Sequence, residues 1–282
     1  MLGSTGMLGG QLYWDDYDFE IIRHGRRKIG LVDYVADLEC LEETMLMLRE
    51  VGPDIVINLS ALANVDQCED LNAAFRANVL TAYNLSKAIQ CSVTKPFLVH
   101  ISTDHIYDSS GFSTEEQIHL VNQYASSKLA GELSLQCVEH CILRTNFFCK
   151  STIAKPSITD WLYEVLVNKS KVNLFDDVLF NPISSKNLIK NIFRVIMYRR
   201  TGTYNLGSSS GMSKAEFAIK FAGSLGLSFN NPSIISVDEV IINGAKRPKD
   251  MRMNISKFEK ALDTTLQSID FEIEEFVKEN YL

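Results

Sequence analysis

The sequence lacks the marks of several protein classes. No stretch of 18 uninterrupted apolar residues occurs, so no membrane span and no membrane partner is expected. The first residues, MLGSTGMLGG, lack the basic region and apolar run of a secretory signal, and a cytoplasmic location is expected. Proline (6) and glycine (15) are too sparse for collagen-like or low-complexity chains. None of the six cysteines (Cys40, Cys68, Cys91, Cys137, Cys141, Cys149) falls in a C-x-x-C pair, so they read as reduced thiols. The five histidines form no H-x-H or H-x-x-x-H pair, and no metal site is expected. Lys and Arg (28) are outnumbered by Asp and Glu (35), and the net charge of −7 weighs against nucleic acid as a partner.

What is present is ordinary globular composition, 46% hydrophobic and 22% charged over 282 residues, enough for one large or two small domains. Charge is uneven. Residues 1–150 carry 11 cationic against 20 acidic side chains, and residues 151–282 carry 17 against 15. The less acidic second part suits an anionic ligand, and chance surface composition explains it equally well.

Apolar runs alternate with helix-period segments through the first half. Strands are expected at 19–25, 54–61, 96–103 and 141–147, with helices at 38–52, 72–90 and 124–139. This β-α-β-α-β rhythm predicts a parallel sheet covered by helices on both faces, with ligands at the carboxyl ends of its strands. After about residue 150 the rhythm changes. Helices are expected at 157–170, 184–200 and 213–227, and short strands at 171–175 and 202–208.

Three motifs carry chemistry. The first, Gly3-Ser4-Thr5-Gly6-Met7-Leu8-Gly9, is a G-x-x-G-x-x-G turn of the kind that lets backbone amides approach a diphosphate. Only Met1 and Leu2 precede it, and only about ten residues separate it from the next strand, whereas a crossover takes about 10–12 residues or more. The expectation is that residues before Met1, and some near Leu12–Tyr13, are missing. The second motif ends the strand after the loop: Arg23, Arg26, Arg27 and Lys28 stand where an acidic residue would mark NAD. NADP(H) is therefore preferred, with NAD(H) as the alternative. The third is Tyr124-Ala125-Ser126-Ser127-Lys128, a Y-x-x-x-K pair on one helix face. An ammonium beside a phenol lowers the phenol pKa and makes it a usable proton donor. Ser102-Thr103-Asp104 closes the strand at 96–103, where a substrate-facing hydroxyl belongs.

Together these motifs resemble the extended short-chain dehydrogenase/reductase superfamily, and within it the dTDP-4-dehydrorhamnose reductase family. The carrying segments include GSTGMLG (3–9), PDIVINLSALANVDQCE (53–69), ANVLTAYNL (77–85), ISTDHIYDSSG (101–111), NQYASSKLAGE (122–132), FNPISSKNL (180–188) and KRPKDMRMNISKFEK (246–260). The resemblance implies an α/β Rossmann-type doubly wound parallel sheet with a smaller α/β C-terminal substrate lobe. Residues 1–150 would be the NAD(P)-binding domain. Residues 151–282 would be mostly the substrate-binding lobe, with some segments returning to the first domain.

It further implies that Gly3, Thr5, Gly6, Met7 and Leu8 wrap the cofactor diphosphate. Arg23 would lie near the ribose phosphate, Asp37 and Leu38 near the adenine, and Ala61, Leu62 and Ala63 on the path to the nicotinamide, with Asn78 on the supporting helix. Thr103, Tyr124 and Lys128 would be catalytic, Lys128 also holding the nicotinamide ribose. Asp104, Asn146, Trp161 and Arg247, with Thr103, would face a nucleotide-sugar substrate. The implied reaction is NADPH-dependent reduction of the 4-keto group of a nucleotide-linked 6-deoxyhexose, by an enzyme that a homodimer would suit. Two alternatives stay open: a nucleotide-sugar epimerase or dehydratase of the same fold, and a non-catalytic NADP-binding regulatory subunit like the methionine adenosyltransferase β subunit. The chain departs from the family at His105, where an aromatic is usual, and in a slightly short stretch between Asp108 and Tyr124.

Overall fold

In a computed structural model, which describes residues 1–240 and 244–282, the first half runs through β1 (His24–Gly25), β2 (Tyr34–Val35), α1 (Leu41–Val51), β3 (Ile55–Asn58), α2 (Leu71–Ala74), a π-helical segment (Phe75–Leu80), α3 (Thr81–Cys91), β4 (Phe97–Thr103), α4 (Gln123–Leu133) and β5 (His140–Thr145). The second half continues through β6 (Phe147–Phe148), α5 (Ile158–Val167), β7 (Asn173–Phe175), β8 (Leu179–Phe180), β9 (Ile183–Ser184), α6 (Ser185–Tyr198), β10 (Gly202–Leu206), β11 (Met212–Ser213), α7 (Lys214–Ser224), β12 (Ser233–Ile235), α8 (Ser256–Leu262) and α9 (Ile269–Asn280). The chain crosses repeatedly between two compact units. Unit 1 holds Met1–Thr103, Asn122–Arg144 and Ile189–Tyr204, and unit 2 holds Asp104–Val121, Thr145–Leu188 and Asn205–Leu282. The expected α/β class with a parallel sheet is the one observed.

The sheet is built on β10-β5-β4-β3 and on the pair β1-β2. One residue joins the two. Leu2 bridges His24 on one side and Asn58 on the other, both in parallel. Its N–H donates to Ile57 O at 2.8 Å and its carbonyl accepts from Leu59 N at 3.1 Å, while His24 N donates to Met1 O at 2.9 Å. Leu2 thus stands where the first strand of a doubly wound sheet belongs, and the order of connections reverses between it and β3. The glycine turn leaves from that point, where such sheets bind ligands.

The strand expected at 19–25 is a correction: only His24–Gly25 forms a ladder. Met1 and Leu2 run beside it on one edge, Met1 donating to Ile22 O at 2.8 Å and accepting from His24 N at 2.9 Å. Upstream, Phe19 packs its ring 5.3 Å from Phe193 instead, beside Tyr17 at 3.7 Å. After the glycine turn the chain makes a 3-10 turn, Leu12–Asp16, in place of an α-helix. Its Trp14 is fully buried, and the indole N–H donates to Leu8 O at 2.9 Å.

The apolar faces of α1 (Met47, Leu48) and α3 (Ala82, Leu85, Ala88, Ile89) meet Leu2, Val56 and Leu98 of the sheet and form the core of unit 1. Unit 2 has its own core, in which Phe148 packs edge-on against Phe217 (5.2 Å) and Phe276 (5.1 Å). No helix among the described residues is long and apolar enough to cross a membrane.

Candidate functional site

Gly3 lies at φ +75°, a conformation that favours glycine, and a Cβ there would sit 2.9 Å from Ser60 N. A Cβ on Gly9 would be 2.5 Å from Gly3 O and 2.7 Å from Ser4 Cα. The turn therefore folds on itself and against the end of β3 in a way no side chain permits. It is pinned by Gly6 N to Gly3 O at 3.0 Å and by Ser4 N to His24 O at 3.0 Å. Thr5 is exposed, and Gly6 and Met7 are half-buried, whereas Leu8 is buried. The N–H groups of Thr5, Met7 and Leu8 donate to no acceptor among the described residues. Amides without protein partners in a tight, exposed glycine turn fit a diphosphate.

The basic turn is partly engaged. Arg23 pairs with Asp15, Arg26 approaches Glu39 at 3.6 Å, and Lys28 donates to Val32 O. Asp37 accepts from Glu39 N at 3.0 Å, and Leu38 is buried in the unit 1 core. Ala61 and Ala63 are exposed on either side of half-buried Leu62.

Asn122 starts α4 by accepting from Ala125 N at 2.8 Å, which sets Tyr124 and Lys128 one turn apart. Tyr124 is 8% exposed and clusters with Leu62, Val65, Cys68 and Ala74. The Lys128 ammonium is buried and donates to Ile101 O at 2.8 Å, two residues before Thr103, itself buried at the end of β4. Burial pushes the Lys128 pKa down to about 8, against the opposing pull of Glu132 and then Cys68.

Asn78 ties this face together. Its Oδ1 accepts from Leu62 N at 2.8 Å, and its Nδ2 donates to Leu62 O at 3.2 Å and Ser127 Oγ at 2.9 Å. Ser127 Oγ donates in turn to Tyr124 O at 2.8 Å. Asn78 sits in the π-helical segment, whose extra residue per turn re-aims a side chain inside a helix.

Unit 1 thus holds the glycine turn, Arg23, Asp37, Leu38, Ala61 to Ala63, Asn78, Thr103, Tyr124 and Lys128, and unit 2 holds Asp104, Asn146, Trp161 and Arg247. Asn146 Nδ2 donates to the buried Asp104 Oδ2 at 2.7 Å. Trp161 is 43% exposed on α5. Sequence reasoning missed Lys214. Burial lowers its pKa, Asp104 raises it and Arg247 lowers it, so the three share one electrostatic neighbourhood. Lys214 is the first residue of α7, where the helix dipole disfavours a cation. A lysine directly after the capping Ser213, two residues before Glu216, is the signal that could have found it. His105 is pushed down to about 3 by burial and then by Lys214 and Arg247, so it is neutral at pH 7. No cluster suited to a metal ion occurs among the described residues.

Residues 1–282 match the family described as the RmlD substrate binding domain. The chain belongs to that family. Its resemblance to the dTDP-4-dehydrorhamnose reductases is borne out. It is 25% identical to the probable low-salt glycan biosynthesis reductase Agl14 of Haloferax volcanii, over 83% of this chain and 80% of the relative. It is 24% identical to the dTDP-4-dehydrorhamnose reductase of Escherichia coli, over 81% and 80% of the two chains. The structure of the Bacillus anthracis dTDP-4-dehydrorhamnose reductase, solved in complex with NADP, matches with a TM-score of 0.85 at 22% identity, covering 99% of this chain and 98% of that one.

Proposed function

We propose that the chain is an NAD(P)H-dependent oxidoreductase that reduces a ketone on a nucleotide-linked sugar, the 4-keto group of a 6-deoxyhexose in the manner of dTDP-4-dehydrorhamnose reductases. The single observation that carries this reading is the buried Lys128 ammonium, anchored on Ile101 O one helical turn along from Tyr124. A desolvated cation at that distance is a costly feature that a purely structural helix has no use for.

The bound dinucleotide supplies the hydride. Thr5, Met7 and Leu8 amides hold its diphosphate, and Arg23 favours the phosphorylated ribose of NADP(H), with NAD(H) the weaker cofactor. Thr103 donates a hydrogen bond to the substrate carbonyl oxygen. Tyr124 donates the proton to that oxygen, and Lys128 stabilises the phenolate that remains. Asp104, Asn146, Trp161 and Arg247 hold the sugar nucleotide, Arg247 through its planar fork on a phosphate. The relative named for glycan biosynthesis supports a product destined for polysaccharide.

The test is a panel of nucleotide-linked ketosugars with NADPH and NADH, read by loss of absorbance at the dihydronicotinamide band and by product identification. Stoichiometric oxidation of NADPH is expected, and Tyr124→Phe should lower kcat by about 10²–10⁴-fold. Wild-type turnover by Tyr124→Phe would overturn the assigned roles. Isomerised sugar without net NADPH consumption would indicate an epimerase.

A further inference from the structure

Tyr124, Lys128 and Glu132 follow at four-residue intervals on α4, so they share one face of the helix. The last two grip consecutive residues of β4. Lys128 Nζ donates to Ile101 O at 2.8 Å, and Glu132 accepts from Ser102 Oγ. Thr103 is the next residue along. On the far side of Glu132, Arg144 of β5 closes the node with Nε at 3.1 and 3.2 Å from the two carboxylate oxygens and Nη2 at 2.7 Å from one of them. The Glu132 and Arg144 side chains are 3% and 5% exposed.

A buried ion pair is no better for stability than two well-packed apolar side chains of the same volume, and often worse. An apolar contact would hold α4 near β4, but it would let the helix slide and turn. A carboxylate fixed by a guanidinium fork and accepting from one serine hydroxyl allows a single register. That register also decides where Tyr124 stands relative to Thr103.

We infer that Glu132 is a positioning residue: its anchorage on Ser102 and Arg144 locks α4 onto the end of β4 and so sets Tyr124 and Lys128 against Thr103. The inference rests on the reductase reading and deepens it. Glu132 also acts on the charge of Lys128. The groups facing Lys128 are Tyr124 and Glu132 on its own helix, Cys68 from the loop after β3, His100 on β4 and Arg144 beyond Glu132 on β5. Burial keeps the Cys68 thiol and the His100 imidazole neutral, which leaves Glu132 as the anion among them.

The test uses Ser102→Ala, which removes one grip and keeps the ion pair, and the double variant Glu132→Gln/Arg144→Met, which removes the anchor without stranding a buried charge. Ser102→Ala should lower kcat roughly tenfold with KM values unchanged, because a displacement below 1 Å acts on the chemical step. In the double variant, Lys128 should titrate at lower pH than in the wild type. The titration is followed by NMR of [13Cε]lysine-labelled protein, with Lys128→Met assigning the signal. The alkaline limb of the kcat profile should shift acidward with it. The sign follows from the required cation: activity is present below the Lys128 pKa and lost above it. Of the two charges removed it is Glu132 that raises the Lys128 pKa, so its loss outweighs that of the more distant Arg144 and the pKa falls. A merely structural role would move Tm and leave both titrations in place, and that result overturns the inference. If Lys128 shifts while the wild type reduces no nucleotide-linked ketosugar, the reductase reading fails and the positioning of Lys128 stands.

Discussion

Gly131→Ala tests how closely α4 must lie against the π-helical segment. A Cβ on Gly131 would meet Asn78 O at 2.4 Å and Asn78 C at 3.5 Å. Ordinary contact begins near 3.4 Å, so one of the two backbones must retreat by about 1 Å. The obstacle is a main-chain carbonyl, which cannot rotate away. Overpacking of this kind costs about 1–3 kcal/mol, offset by up to about 1 kcal/mol from the better helix propensity of alanine. The net is a destabilisation of roughly 1–2 kcal/mol, a fall in Tm of about 2–8 °C for a chain of this size. Activity should suffer more than stability. The same residue, Asn78, reaches Ser127 and through it the Tyr124 carbonyl, so the retreat misplaces the proton donor. A misplacement near 1 Å costs about 10²-fold in kcat. The control is Gly223→Ala on α7, where an added Cβ meets nothing within 4 Å. That change should stabilise by about 0.5–1 kcal/mol and leave kcat alone. The assays are thermal melts and initial rates on both purified variants. A Gly131→Ala protein that melts at or above the wild type with full kcat would refute the close approach and the role given to Asn78.

Three further outcomes are expected. Gly9→Ala should weaken NADPH binding at least about tenfold, or ~1.4 kcal/mol, in a fluorescence titration, because its Cβ would lie 2.5 Å from Gly3 O and open the turn. Burial holds His100 well below its usual pKa near 6.5, so the unfolded chain takes up a proton that the folded one refuses. Stability is therefore full above about pH 6.5 and falls as pH drops below it; melts from pH 8 to 5 should show a shallower fall in His100→Asn, and an unchanged slope would count against the neutral buried imidazole. Lys128→Met should melt no lower than the wild type, since it removes a desolvated cation held by one carbonyl, while kcat falls by about 10²–10⁴-fold. A large loss of Tm in that variant would mean that Lys128 serves the fold instead.

The buried strands were legible because each is a run of apolar residues bounded by breaks: expected 96–103 against Phe97–Thr103, and expected 141–147 against His140–Thr145. The helices α1, α4, α5, α6 and α7 were legible from their spacing, with most ends displaced inward by a few residues; α4 starts at Gln123 and stops at Leu133, well short of the expected 139. The segment at 19–25 misled because an apolar run records burial and not whether a partner strand lies beside it. The two-residue strands β6, β8, β9 and β11 carry no periodicity at all. Neither does the π-helical segment, because one extra residue in a turn leaves the apolar spacing almost unchanged. In the site, Tyr124, Lys128 and Thr103 were legible through motif spacing. Lys214, Glu132 and Arg144 were not, nor was the bond from Ser102 to Glu132, since their importance lies in contacts between residues 12, 30 or more apart, which no local pattern records.

The charged side chains buried in unit 1, Lys128, Glu132 and Arg144, lie beside one run of buried polar residues on the sheet. Asn58 and His100 bond each other at 3.0 Å on β3 and β4. Ser102, Thr103, Lys128, Glu132 and Arg144 follow along β4, α4 and β5. Each costs desolvation energy that an apolar residue would not, and the polar side chains that α1 and α3 bury on the same sheet, Thr44, Thr81, Asn84 and Ser86, carry no charge. A chain that merely held a dinucleotide would need the glycine turn and the reversal of strand order beside Leu2. Neither of these uses the far end of β4. Costly groups that converge where one hydroxyl and one phenol stand are explained by a proton that must be moved there, which favours turnover over a binding role.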